Sequence, residues 1–349
     1  MKNLTQDIKM QLRKINTGFN EVNKLVTTLS PGETKALASS LIKLSDQVVD
    51  ELTLYRMRHQ IADEMRSALS CKTVTEIESF VENEQLLVHE INNWPVDMIN
   101  MVPTPAGKDA PLKDIVLATM IQVGLSELRN RPVLSYPSEN NGQLIRHVTQ
   151  KYAKQNQLSS HGGATNLPWH SDVAHRPIAG VEATELVGAG PEHLTLFANR
   201  VIHGTPTMFL PVSDIFESFS ESEQEELLGN NFVIYPPESF SSEGASKHKP
   251  IFVRKEDKVW MRYGGRIEAE EQKFDATLTK LKLILAKLEG TPQFMLPGTS
   301  VTWKQNRILH ARSIIPAQFN GAGRWYLRLY SASVDGIVPS HPEVPFLSR

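Results

Sequence analysis

The sequence predicts an α+β protein with a mainly β core, of barrel or jelly-roll type, carrying a helical N-terminal addition. Two observations predict it. Before residue 86 apolar residues recur every three or four positions, whereas beyond it short apolar runs are broken by Pro, Gly and Asn, with few helices between them. The expected division is a helical region over 1–85 packed on the core and a β domain over 86–349.

Leu4, Ile8, Leu12, Ile15, Phe19, Val22, Val26 and Leu29 share one stripe of a helix, so an amphipathic first helix is expected. Ser30 then offers an N-cap, Pro31 a first helical residue and Glu33 the third position of a capping box. Leu37, Leu41, Leu44, Val48 and Leu52 continue the period as a second helix. The two stripes suit a layer on the core or a homodimer surface. One more helix is expected over 112–128, and strands over 133–136, 194–197, 207–211, 231–235, 251–254, 259–263, 301–303 and 324–331. Residues 255–258 read as a hairpin turn. A short helix opens at Ser220 with Glu223 and closes at Gly229, and a longer one turns Leu278, Leu281, Ile284, Leu285 and Leu288 inward.

With 349 residues, 40% hydrophobic and 22% charged, the chain can bury a sizeable core. A formal net charge of -2 gives no diffuse positive field, which argues against nucleic acid or an anionic membrane and for a small-molecule partner. The single cysteine, Cys71, excludes an internal disulfide and a thiolate cluster and is expected to be an inert buried thiol. The polar N-terminus and the lack of an 18-residue apolar run imply a cytoplasmic protein.

The chemistry gathers in two places. His170 and Asp172 lie two apart, and in a strand such residues point to one face, where both can reach one metal ion. Far downstream, His310 sits in a loop-to-strand setting between Asn306 and Arg312. Two imidazoles and one carboxylate make the facial set that leaves positions open on non-haem Fe(II). Arg324 and Arg328 share a strand face by the two-residue period, and planar guanidinium forks are natural partners of carboxylates. Two forks suggest two carboxylates.

Over residues 130–330 these motifs resemble the clavaminate synthase-like and taurine dioxygenase-like group of Fe(II)/2-oxoglutarate oxygenases, and among them the free amino-acid hydroxylases. The resemblance implies a distorted double-stranded β-helix, related to the cupins, with the metal between its sheets. It implies Fe(II) on His170, Asp172 and His310, with 2-oxoglutarate and O2 as co-substrates. The distal carboxylate of 2-oxoglutarate falls to Arg324, with help from Thr207. Arg328 matches the arginine that binds a substrate α-carboxylate, and Ser160 the serine near the amino-acid head group. The implied reaction hydroxylates an unactivated side-chain carbon, with release of succinate and CO2.

Asp172 stands where clavaminate synthase-like members more often carry glutamate. Arg262 and Arg266 stand where arginine hydroxylases of the group place acidic residues. Glu268 and Glu270 nearby are expected as solvated charges at a helix start. His161 and His175 are expected outside the ligand set, and His193 and His203 have no partner spacing. Competing readings are a dioxygenase of the same fold acting on a sulfonate or other small acid, and a cupin-like metal-binding module without turnover. A zinc hydrolase is disfavoured because no carboxylate near the three ligands is an evident general base.

Overall fold

The computed structural model describes residues 22–98, 100–182, 187–237, 239–240 and 243–349. It is a mixed α/β structure with many strands, organised round two sheets. The larger is seven-stranded: Lys24–Thr28, Val88–Asn92, Ser300–Lys304, His193–Arg200, Trp325–Ser331 and Val133–Leu134 in spatial order, with Arg146–Thr149 also paired to Trp325–Ser331. The smaller is four-stranded: Thr291–Gln293, Thr207–Pro211, Ile308–Arg312 and Leu167–His170. The two sheets share one apolar core. Leu196, Val301 and Trp303 of the larger pack with Phe209 and Ile308 of the smaller, and the Phe209 and Trp303 ring centroids lie 5.2 Å apart.

The N-terminal expectation needs correcting where it can be compared. Residues 1–21 of the proposed first helix lie outside the described residues. The segment Lys24–Thr28 is an edge strand, pairing in parallel with Val88–Asn92. Val26, Thr27 and Thr28 carry the β-branched side chains that favour strands, and their three-to-four spacing with neighbouring apolar residues imitates a helix. Pairing fixes the choice: Thr27 is buried and hydrogen-bonded to His89 Nε2 at 3.0 Å.

The second helix begins as expected. Pro31–Ser45 opens with Ser30 and Glu33 in a reciprocal capping box and buries Leu37, Leu41 and Leu44, each burial stabilising by roughly 2 kcal/mol. It stops at Ser45 rather than running to Leu52. Asp50 accepts a 2.7 Å hydrogen bond from the Thr53 amide and starts a new helix, Glu51–Arg56, so capping chemistry interrupts a period that Val48 continues only as a buried turn residue. Arg58–Ala68 and Cys71–Glu82 follow, and Cys71 is exposed, not buried, in the first turn of the latter.

Helix Val116–Leu128 lies between these helices and the larger sheet and is buried along most of its length. Gln122 anchors it by donating to the Leu327 carbonyl at 3.1 Å. At its end the fully buried Arg129 donates to His89 Nδ1 and to Thr302 Oγ1, both at 2.8 Å. Burial first, then Arg129, depresses the His89 pKa, which keeps its ring neutral as that acceptor.

All eight expected strands form, 207–211 with the expected bounds and the other seven with shifted ends. Residues 255–258 close a two-residue hairpin in which Glu256 takes φ 56°, and Ser220 with Glu223 caps the helix Glu221–Leu228. Glu268 lies in a strand, Ile267–Ala269, not at a helix start. Helix Asp275–Leu285 leads through Gly290 into the smaller sheet. A Cβ at Gly290 would stand 2.3 Å from the Trp169 ring and 2.4 Å from the Phe209 carbonyl oxygen, so only glycine fits beside the strand that carries His170. Trp169 is also held by its indole N–H, which donates to the Leu288 carbonyl at 3.2 Å. Among the described residues no helix is long and apolar enough to cross a membrane.

Candidate active site

Strand register brings the two histidines together. In the smaller sheet His310 sits directly opposite His170 on one side and Phe209 on the other, and the imidazole centroids are 4.1 Å apart. Asp172 follows just past the end of its strand, and the next residue, Val173, takes φ 58°, a left-handed conformation costly for a β-branched side chain. Asp172 Oδ1 ends 3.3 Å from His170 Nε2 and 3.6 Å from His310 Nε2. Neighbouring ligands on an ion with bonds of about 2.1 Å stand about 3 Å apart, so the three donors, all within 4.8 Å of one another, fit a single ion.

Protonation suits the same role. His170 Nδ1 lies 2.8 Å from the Pro168 carbonyl, which accepts its proton and leaves Nε2 as the lone-pair donor toward Asp172. Burial and the neighbouring His170 push the His310 pKa down to about 3, so its ring is neutral at ordinary pH. Burial alone would raise the Asp172 carboxyl, but its neighbours, Arg328 foremost, outweigh it and hold the pKa well below the usual carboxylate range. Its outer oxygen, Oδ2, accepts from Arg328 Nη1 at 2.9 Å and from the Tyr330 hydroxyl at 2.6 Å. Its backbone carbonyl accepts from Gln305 at 3.2 Å. Oδ1 is thereby turned toward the histidines.

The three donors open onto a cavity of about 280 Å³, and every residue nominated from the sequence lines it: His170, Asp172, His310, Arg324, Thr207, Arg328 and Ser160. Arg328 is not the unpaired fork expected there. Besides Asp172 it donates to Glu139 Oε1 at 2.6 Å, and Arg146 donates to the same oxygen at 2.5 Å. Burial would lower the Arg328 pKa, but Glu139, Tyr330 and Asp172 raise it. Ser160 accepts from Arg146 Nε at 2.9 Å, which ties it to this cluster.

The opposite charge balance holds around Arg324. Arg324 is 4% exposed, its guanidinium 4.6 Å over the Tyr326 ring, and Arg312 is 6% exposed. Neither forms an ion pair with a carboxylate among the described residues, and none of the three side-chain nitrogens of Arg312 has a hydrogen-bond partner there. Burial and Arg324 lower the Arg312 pKa to about 10, which still leaves it cationic. Arg312 is the direct cross-strand partner of Thr207, and both line the cavity.

Sequence reading missed Glu139, Tyr330 and Arg312. Tyr330 was within reach, two residues after Arg328 on the same strand; Glu139 sits in a loop without periodicity. The other candidates fall outside the cavity. Arg262 is fully buried and paired with Glu182, while Glu268 bonds Tyr235 and Arg266, and Glu270 meets His248. His175 pairs with Glu243 at 2.6 Å, and His161 Nδ1 lies 3.2 Å from the Thr149 carbonyl.

Two sheets packed on one core frame the two-histidine, one-aspartate cluster, and solved structures share this fold. An asparagine oxygenase in complex with Fe(II), 2S,3S-3-hydroxyasparagine and succinate superposes with a TM-score of 0.78 at 16% identity, covering 93% of this chain and 98% of that one. The non-heme iron oxygenase OrfP with Fe, succinate and (3S)-hydroxy-L-Arg gives 0.76 at 17% identity, covering 93% and 99%. OrfP with Fe and alpha-ketoglutaric acid gives 0.73 at 19%, covering 88% and 94%. No family profile matches the sequence, and no curated protein is significantly similar to it. At these identities the likeness establishes the fold.

Proposed function

We propose that this chain is an Fe(II)- and 2-oxoglutarate-dependent oxygenase that hydroxylates an unactivated side-chain carbon of a free amino acid or close derivative. Its two sheets then form a distorted double-stranded β-helix, and the region before residue 86 serves as a layer against it. The observation that carries the reading is the convergence of His170, Asp172 and His310 beside a cationic cavity wall. The solved structures of similar fold hold Fe with succinate, alpha-ketoglutaric acid or hydroxylated amino acids.

In this reading His170 Nε2, His310 Nε2 and Asp172 Oδ1 hold the iron. Iron and 2-oxoglutarate held there would supply the activation of O2 by which one oxygen atom enters a C–H bond and the other enters succinate as CO2 leaves. Arg328 and Tyr330 hold the outer oxygen of Asp172 and leave Oδ1 turned toward the histidines. Arg324 receives the distal carboxylate of 2-oxoglutarate, with Thr207 beside it. The substrate head group falls to the cluster at the other end: its α-carboxylate to the remaining N–H groups of Arg328, its α-ammonium to Glu139, with Ser160 at the rim. A zwitterion matches that pairing of cation and anion better than a sulfonate alone does.

The test is anaerobic addition of Fe(II) and 2-oxoglutarate. A visible charge-transfer band is expected, and it should vanish in His170→Ala, Asp172→Ala and His310→Ala while far-UV circular dichroism stays unchanged. No band from the intact, folded chain overturns the reading. A panel of amino acids, their α-amides and sulfonates, scored by substrate-dependent succinate and product mass, then tests the substrate class. Equal turnover of amides and free acids removes Arg328 from the α-carboxylate.

A further inference from the structure

The most unbalanced group in the cavity is Arg312. A buried guanidinium with no hydrogen-bond partner on any nitrogen is costly, and buried polar groups are otherwise almost always satisfied. Arg129, equally buried, by contrast places two of its three nitrogens on histidine and threonine acceptors. Arg312 lies two residues beyond His310 on the same strand, so both side chains leave the sheet on one face. It is directly opposite Thr207 in the register and close enough to Arg324 for the two cations to repel. Its position therefore matches the co-substrate end of the cavity, away from the Glu139 cluster.

Given the oxygenase reading above, on which the assignment rests, we propose that Arg312 and Arg324 form a guanidinium pair that grips the distal carboxylate of 2-oxoglutarate, and that Arg312 makes the site selective for a 2-oxo dicarboxylate. Two cations held together without a counter-ion repel each other until an anion enters between them. A carboxylate has two oxygens and about four lone-pair directions, enough to accept from both forks. A 2-oxo monocarboxylate of the same length reaches the metal equally well but leaves both arginines buried and unpaired.

Calorimetry on the full chain loaded with Mn(II), titrated without oxygen with 2-oxoglutarate and separately with 2-oxopentanoate, reads this directly. The unaltered protein is expected to prefer the dicarboxylate by about tenfold or more. Arg312→Met should shrink that preference by about tenfold, the lower range for truncating one partner of a buried charge pair that keeps a second cation, and leave 2-oxopentanoate affinity unchanged. Arg312→Lys should recover part of it, since it keeps the charge and loses the fork. Equal weakening of both acids in Arg312→Met means a structural role and overturns the assignment, as does an unchanged ratio. If Arg312→Met does not fold, an Arg312→Lys protein with an unaltered ratio overturns it equally. Should the unaltered chain bind no 2-oxoglutarate at all, the oxygenase reading itself falls; binding with an unchanged ratio in the variants removes only the arginine pair.

Discussion

The two ends of the cavity handle buried charge in opposite ways. Around Arg328 each cation meets a carboxylate: Glu139 is shared by Arg328 and Arg146, and Asp172 takes Arg328 and Tyr330. Around Arg324 and Arg312 there is cation without anion among the described residues. The balanced end holds the Asp172 carboxylate in one orientation before anything binds. The other end is left without an anion, and in the proposal above an incoming carboxylate supplies it. The difference teaches where stability and binding part company, because the same residue type supports the fold at one end and opposes it at the other.

Glu139→Gln gives the largest expected effect on the fold. It strips the shared carboxylate from two buried arginines and should destabilise the metal-free protein by about 3 to 5 kcal/mol in urea denaturation. A loss within 0.5 kcal/mol would break the contrast. Arg324→Ala should instead leave stability nearly untouched and weaken 2-oxoglutarate by about 2 to 5 kcal/mol, roughly thirtyfold or more. Arg312→Met should raise the stability of the ligand-free protein by about 1 to 3 kcal/mol, because it removes a buried cation that nothing satisfies. A lower melting temperature in that variant would show that Arg312 has a partner in solution.

The last effect is a slope, small over any one pH unit. The His310 pKa falls from an ordinary value near 6.5 to about 3 on folding, so the unfolded chain takes up a proton that the folded chain refuses. Metal-free protein should therefore lose stability as pH drops from 6.5 toward 3, by at most about 1.4 kcal/mol per pH unit from this group, with no such contribution above 6.5. In His310→Ala that part of the pH dependence should disappear.

Much of this site was legible in the sequence. The i, i+2 spacing of His170 and Asp172 and the four-residue spacing of Arg324 and Arg328 pointed to strands; His170 and Arg328 lie in strands, while Asp172 falls in the turn after one and Arg324 just before the other. The capping box at Ser30 and the hairpin at 255–258 were equally local. What escaped was long-range. Nothing near Glu139 announces that Arg328, 189 residues later, will share its oxygen, and that pairing changes Arg328 from an empty fork into a positioning group. The segment 24–28 was misread because an apolar spacing of three to four does not exclude an edge strand when its partner, Val88–Asn92, lies far along the chain. Strands such as Arg146–Thr149 and Leu167–His170 have buried polar residues or proline in place of an apolar run, so periodicity passes over them.

Gly290 gives the site a remote lever. It brings the turn after helix Asp275–Leu285 against Trp169, whose neighbour in the chain is His170, and the Leu288 carbonyl fixes the same indole. The connection between that helix and the smaller sheet is therefore not free to drift in length, although it touches neither substrate nor metal. In a lineage of such chains, insertions would be tolerated in the exposed hairpin at 255–258 long before a single added residue at 286–290. In a directed-evolution library, hits there would shift His170 without altering any residue that lines the cavity.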